Sequence, residues 1–130
     1  MRIFISFTFL TTILLLSLSC QSAKPEFTED MTVDNYFQKA QEASEKGDHQ
    51  LAMEYYLKLK EVFPENIEKN LWASFEIAFL YHKMGKDEKA LVLLEELIQL
   101  YNDNQTQDYP DGPLLLAERV KANIQEKYSN

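Results

Sequence analysis

Few side chains in this sequence are equipped for chemistry, and their spacing restricts them further. There are two histidines, His49 and His82, and one cysteine, Cys20. Neither histidine has a partner at the spacing that metal ligands keep, so both read as ordinary polar residues and no metal site follows. The acidic pair Glu95 and Glu96, and the charged run from Lys86 to Lys89, have the spacing of a solvated helix surface rather than of acid–base machinery. Glycine occurs only at 47, 85 and 112, too sparsely to build a phosphate-cradling loop. The sequence therefore assigns no catalytic residue, implies no cofactor, and reads as a non-enzyme.

One pattern exceeds what packing requires. Trp72, Phe75, Phe79 and His82 recur at spacings of 3, 4 and 3, which on a helix stacks them on one stripe. A second stripe of Ile77, Ala78 and Tyr81 supplies the contacts that hold the same helix to its neighbour.

Cys20 gains its meaning from what precedes it. Arg2 begins a positive region, Ile3 to Leu16 form an apolar run, and Ser17 and Ser19 flank its end, the pattern of an export signal over residues 1–19. The run is too short, and too soon followed by small polar residues, for a spanning helix of about 20 apolar residues. A cysteine directly after such a segment resembles the lipobox of bacterial lipoproteins, with Ser17 where a leucine is commonest. The resemblance implies that Cys20 is acylated, as with palmitate, and becomes the first mature residue, which leaves 111 of the 130 residues and shifts the formal charge from −8 to −9. Residues 20–31, polar apart from Phe27 and Met31, read as a lipidated tether to the domain at 32–130. Gln21 is not the aspartate of inner-membrane retention, so the expected place is an outer-membrane lipid anchor facing the periplasm, with the cell surface or the outer face of the plasma membrane as alternatives. The acidic balance excludes a phosphate-neutralising stripe and with it nucleic acid, and a polybasic membrane contact as well.

The remainder repeats. Ala40 and Ala78, Gly47 and Gly85, and Ala52 and Ala90 are each 38 residues apart. A helical period stands before and after each glycine, which suits the left-handed position ending a helix, and Asp48 and Asp87 are placed to cap the helices that follow. The spacing predicts helices over about Thr32 to Lys46, Asp48 to Phe63, Glu68 to Met84 and Asp87 to Tyr101. After a turn-rich loop, a fifth begins near Pro113 and runs to about Tyr128. The small residues let paired helices approach, with Tyr36, Leu59, Ile77, Leu93 and Leu97 filling between them.

These units resemble the tetratricopeptide repeat, a helix-turn-helix family of 34-residue units, here with four added residues between Pro64 and Leu71. Repeat-packing positions fall on Ala40, Gly47, Ala52, Tyr56 and Pro64 in the first unit and on Ala78, Tyr81, Gly85, Ala90 and Leu94 in the second. The second unit has Asn102 in place of the proline and Ser74 in place of the early tryptophan. The expected fold is all-α: two repeats and a C-terminal capping helix, in which Ala117 matches Ala78 and Leu114 to Leu116, Val120 and Ile124 cover the open end.

By this resemblance the stripe of Trp72, Phe75, Phe79 and His82 falls on the inner, concave surface that holds peptides, beside Phe37, Gln41 and Ser44 of the first helix and Leu114, Glu118 and Lys121 of the fifth. Two readings stand: core covered by the first and fifth helices, or a groove for a partner's helix or extended segment. The expected function is a membrane-anchored scaffold or adaptor that binds other envelope proteins. A homo-oligomeric structural lipoprotein meeting through Trp72, Phe75 and Phe79, and a small ligand-binding or enzymatic envelope protein, are the alternatives.

Overall fold

A computed structural model describes residues 24–129 of the chain; the segment read as an export signal and Cys20 lie outside the described residues. Thr32 starts the first helix, α1 (Val33–Glu45), through a reciprocal capping box with Asn35. The chain then reverses at Gly47, whose φ of 81° lies in the left-handed region, and Asp48 caps α2 (His49–Val62) by accepting from the Leu51 amide. Phe63 and Pro64 end α2, since proline disfavours helix at the residue before it. Asn66 caps α3 (Ile67–Lys83), Gly85 repeats the left-handed turn at φ 72°, and α4 (Asp87–Asp103) follows. After a loop comes α5 (Asp111–Ser129). Among the described residues there are five helices and no strand.

The four residues added between the repeats form one more turn at the start of α3, which lies within one residue of its expected bounds and has 17 residues against 13 in α1. Two other features differ from the sequence expectation for physical reasons. Asn102, unlike proline, does not stop a helix, so α4 runs on to Asp103. Asp87 does not cap α4. Lys86 holds the cap position without a side-chain bond, while the Asp87 side chain is turned inward.

Each reversal pairs two helices, α1 with α2 and α3 with α4, and α5 lies against both α3 and α4. Two apolar clusters result. The first joins α1, α2 and one side of α3: Tyr36, Ala40, Ala52, Tyr56, Leu59, Ala73, Ile77 and Leu80. The second joins the other side of α3 to α4 and α5: Leu71, Phe75, Ala78, Ala90, Leu94, Leu97, Ala117 and Ile124. Ala40, Ala52, Ala78, Ala90 and Ala117 are each fully buried, as close helix approach demands. Of the apolar residues expected to cap the stack, Leu114, Leu116 and Val120 are half-buried and Ile124 is buried, but Leu115 points outward at 59% exposure.

The stretch read as tether contributes to the domain from Glu26 onward. The Phe27 ring packs on Tyr36 and Tyr55, the Glu26 amide donates to the Tyr55 hydroxyl at 3.0 Å, and Met31 is half-buried against the first cluster.

Candidate protein-binding face

The outward side of α3 is a line of Trp72, Glu76, Phe79 and Lys83, at spacings of 4, 3 and 4. Residues on this line are enclosed on one side only, because the first cluster takes Ala73, Ile77 and Leu80 and the second takes Leu71, Phe75 and Ala78. Trp72 and Phe79 are half-buried against the second cluster, whereas Phe75 is buried within it. The aromatic stripe is therefore split: Phe75 is core and stacks its ring on Phe79 at 5.8 Å between centroids, and Trp72 and Phe79 keep an open side. Trp72 also rests on the backbone of Gly112, where a Cβ would lie 2.6 Å from its ring.

α1 adds the other wall. The Phe37 ring meets Tyr56 edge-on at 5.2 Å, and Lys69 at the base of α3 reaches across, 5.0 Å from the Phe37 centroid and 2.9 Å from Asp34 Oδ1. Gln41 is exposed on the same helix. Lys83 sits 5.0 Å over the Phe79 ring. Between them Glu76 is half-buried; burial raises its carboxyl above the ordinary range, and the Lys83 ammonium only partly opposes this. The Tyr56 hydroxyl is raised as well, first by burial and then by the Glu76 charge.

Glu76, Lys69 and Lys83 were not among the residues that the sequence singled out. The signal was present: Glu76 is four residues after Trp72 and three before Phe79, closer to the axis of the open line than Phe75 is.

The other candidates lie elsewhere. His82 turns towards α4 and places Nδ1 2.6 Å from Asp87 Oδ1. The ionised carboxylate can only accept, so Nδ1 is the donor. Lys127 and Tyr128 from the end of α5 donate to Asp87 Oδ2 at 3.1 and 2.9 Å. The charged run from Lys86 to Lys89 thus contains one buried residue, Asp87, whose side chain is 3% exposed. Lys121 faces α4 and pairs with Glu95 at 3.1 Å rather than joining the aromatic line. His49 opens α2 with a buried Nδ1 that no described group reaches. Among the described residues, no group of three His, Cys, Asp or Glu side chains is placed to hold a metal ion, and no helix is long and apolar enough to cross a membrane.

Two pairs of antiparallel helices, reversed at left-handed glycines and stacked through buried alanines, with an aromatic and charged line on the outward side of the third helix, define a helical-repeat protein. The chain belongs to the tetratricopeptide repeat family: that family's profiles match residues 33–66, which span α1 and α2, and residues 72–103, from Trp72 to the end of α4. Helix α5 lies outside both matches. No curated protein and no solved structure matches the chain. Repeats of this family serve protein–protein contacts and are typically scaffolds rather than enzymes.

Proposed function

We propose that this chain is a membrane-anchored lipoprotein of a bacterial cell envelope, whose repeat domain docks a segment of another envelope protein on the α1–α3 face. The observation that carries the docking is the open aromatic line. Trp72 and Phe79 keep exposed faces around the half-buried Glu76, on the same side as Phe37, although the two flanks of the same helix are packed into the two apolar clusters. Aromatic anchors beside buried polar groups are the usual energetic centre of such contacts.

The anchor rests on the sequence alone. Arg2, the apolar run to Leu16, the small residues after it and Cys20 form the pattern, and acyl chains on Cys20 would hold the domain at the bilayer. The residues between Cys20 and the docked Phe27 would give it reach. Confinement to one membrane raises the effective concentration of partners held on the same surface, so individually weak contacts suffice. The outer membrane, periplasmic side, is the proposed place.

Photo-crosslinking from an unnatural residue at Phe79 in the native cell, followed by mass spectrometry, tests the docking face. Capture of another envelope protein supports it; crosslinks confined to α5 of the same chain remove it. Labelled fatty acid should enter the wild-type protein and not Cys20→Ser, and equal labelling would remove the anchor.

A further inference from the structure

Two surfaces away from the α1–α3 face hold charges that form no ion pair among the described residues. The first is a cleft on the opposite side of α3, of about 260 Å³, formed by Leu57 and Lys60 of α2, Ser74 and Ile77 of α3, and Glu96 and Leu100 of α4. Lys60 is half-buried there. Its ammonium donates to the Ser74 hydroxyl at 2.5 Å, and Ser74 spends its own proton on the Asn70 carbonyl, so the contact is with a neutral group. Glu96 on the facing wall acts on Lys60 through its field without forming a salt bridge among the described residues. A cation in an apolar cleft without a paired anion is an unmet electrostatic demand. The volume is below the roughly 300 to 1,000 Å³ of small-molecule sites. It suits an inserted side chain, and Leu57 and Leu100 stand 53% and 39% exposed beside it.

The second surface is the outer face of α5, opposite the buried Pro113, Ala117 and Ile124. Leu115 is 59% exposed there. Glu118 and Arg119 follow it by three and four residues, which places them about 60° to one side and about 40° to the other. Both are exposed, and neither forms an ion pair within the described residues. Arg119 is the only arginine among those residues, and it is the cation best suited to a protein interface.

We propose that the outer face of α5 of one copy seats in the α2–α4 cleft of a second copy, with Leu115 entering beside Leu57 and Leu100, Glu118 meeting Lys60, and Arg119 meeting Glu96. The two walls of the cleft carry opposite charges, and so do the two flanks of Leu115, so the charges select one direction for the incoming helix. The incoming carboxylate gives Lys60 a direct ion pair, where Glu96 of its own chain acts only through its field. Because the two patches differ, the contact closes as a twofold dimer only where both copies seat reciprocally, and otherwise runs head-to-tail into rings or rows. It leaves the α1–α3 face open and does not depend on that face binding a partner.

The test uses two full-length copies with different tags, co-expressed and extracted in mild detergent. Wild-type copies should co-purify. Lys60→Glu in both copies, or Glu118→Lys in both, should lower recovery at least about tenfold, and the double reversal in both should restore it. Glu118 is exposed, so Glu118→Lys leaves folding intact and carries the test even where Lys60→Glu misfolds. Association through the lipid anchors in a shared detergent micelle would survive both reversals. That result, failure of the wild type to co-purify, or failure of the double reversal to restore binding in folded protein would overturn the proposal, while Phe79 crosslinks to another protein would be unaffected.

Discussion

Asp87 joins the α3–α4 turn to the far end of α5 through three donors on a single carboxylate. Hydrogen bonds, first from His82 and then from Lys127 and Tyr128, hold its carboxyl down to about 2 from an ordinary 3.8, against the opposing effect of burial. A value lower in the folded than in the unfolded state adds stability above the unfolded value, and that increment fades as pH falls from 3.8 towards about 2. Asp87→Asn should therefore lower Tm at neutral pH, and melting curves of variant and wild type should converge in strong acid; a gap that is constant with pH would sink the charge argument. At the alkaline end the latch loosens for the converse reason. Lys127 and Tyr128 are both raised, chiefly by the bond to Asp87, so their contribution is lost as pH rises through their folded values. This cluster was illegible in the sequence because Lys127 and Tyr128 stand 40 and 41 residues from Asp87, outside any helical period. Gly112 is a second such position. Alanine there gains up to about 1 kcal/mol of helix propensity, but its Cβ would fall 2.6 Å from the Trp72 ring. Displacing that ring costs about 1 to 3 kcal/mol. Gly112→Ala should lose about 1 kcal/mol net in urea unfolding, with a shift in emission from the chain's single tryptophan.

At the scale of the element, α3 carries the argument because it has three faces with three tasks. The repeats were legible from their punctuation: paired alanines, two glycines that take left-handed φ, and Asp48 as a cap, all of which act within a few residues of themselves. Rotation of α3 about its axis was less legible. Trp72, Phe75, Phe79 and His82 form an aromatic stripe in sequence, yet the open line is centred closer to Glu76 and Lys83, since α5 covers the side that holds Phe75. What decides the rotation is a helix more than thirty residues further along the chain, which no local period reports. The two phenylalanines should thus respond differently. Phe75→Ala, within the core, should cost about 3 to 5 kcal/mol. Phe79→Ala, half-buried, should cost about 1 to 2 kcal/mol while removing partner capture. Urea unfolding measures the first comparison and co-purification of a partner from the native cell the second. Equal losses of stability would mean that Phe79 is as much core as Phe75.

In the whole molecule the two apolar clusters are joined by α3, which gives Ala73, Ile77 and Leu80 to one and Leu71, Phe75 and Ala78 to the other. Stacked repeats are stabilised by intrinsic terms and neighbour interfaces, and a short array behaves as one unit when the interface outweighs the separate stability of each repeat. Here each pair of helices shares its apolar surface with a neighbour, since Tyr56 and Leu59 of α2 cluster with Ala73 and Ile77 of α3 from the next repeat, and Ala78 and Leu94 cluster with Ala117 and Ile124 of α5. Unfolding should accordingly be a single transition. Trp72 reports the second cluster and far-UV circular dichroism reports all five helices, so their urea midpoints should coincide. Leu59→Ala, in the first cluster, provides the stronger form of this prediction. It should cost about 2 to 5 kcal/mol and move the Trp72 midpoint as far as the dichroism midpoint, although Leu59 belongs to the cluster that Trp72 does not line. A fluorescence midpoint left in place while the dichroism curve breaks into two steps would show that α3 fails to couple the clusters, and that α3, α4 and α5 fold without the first repeat.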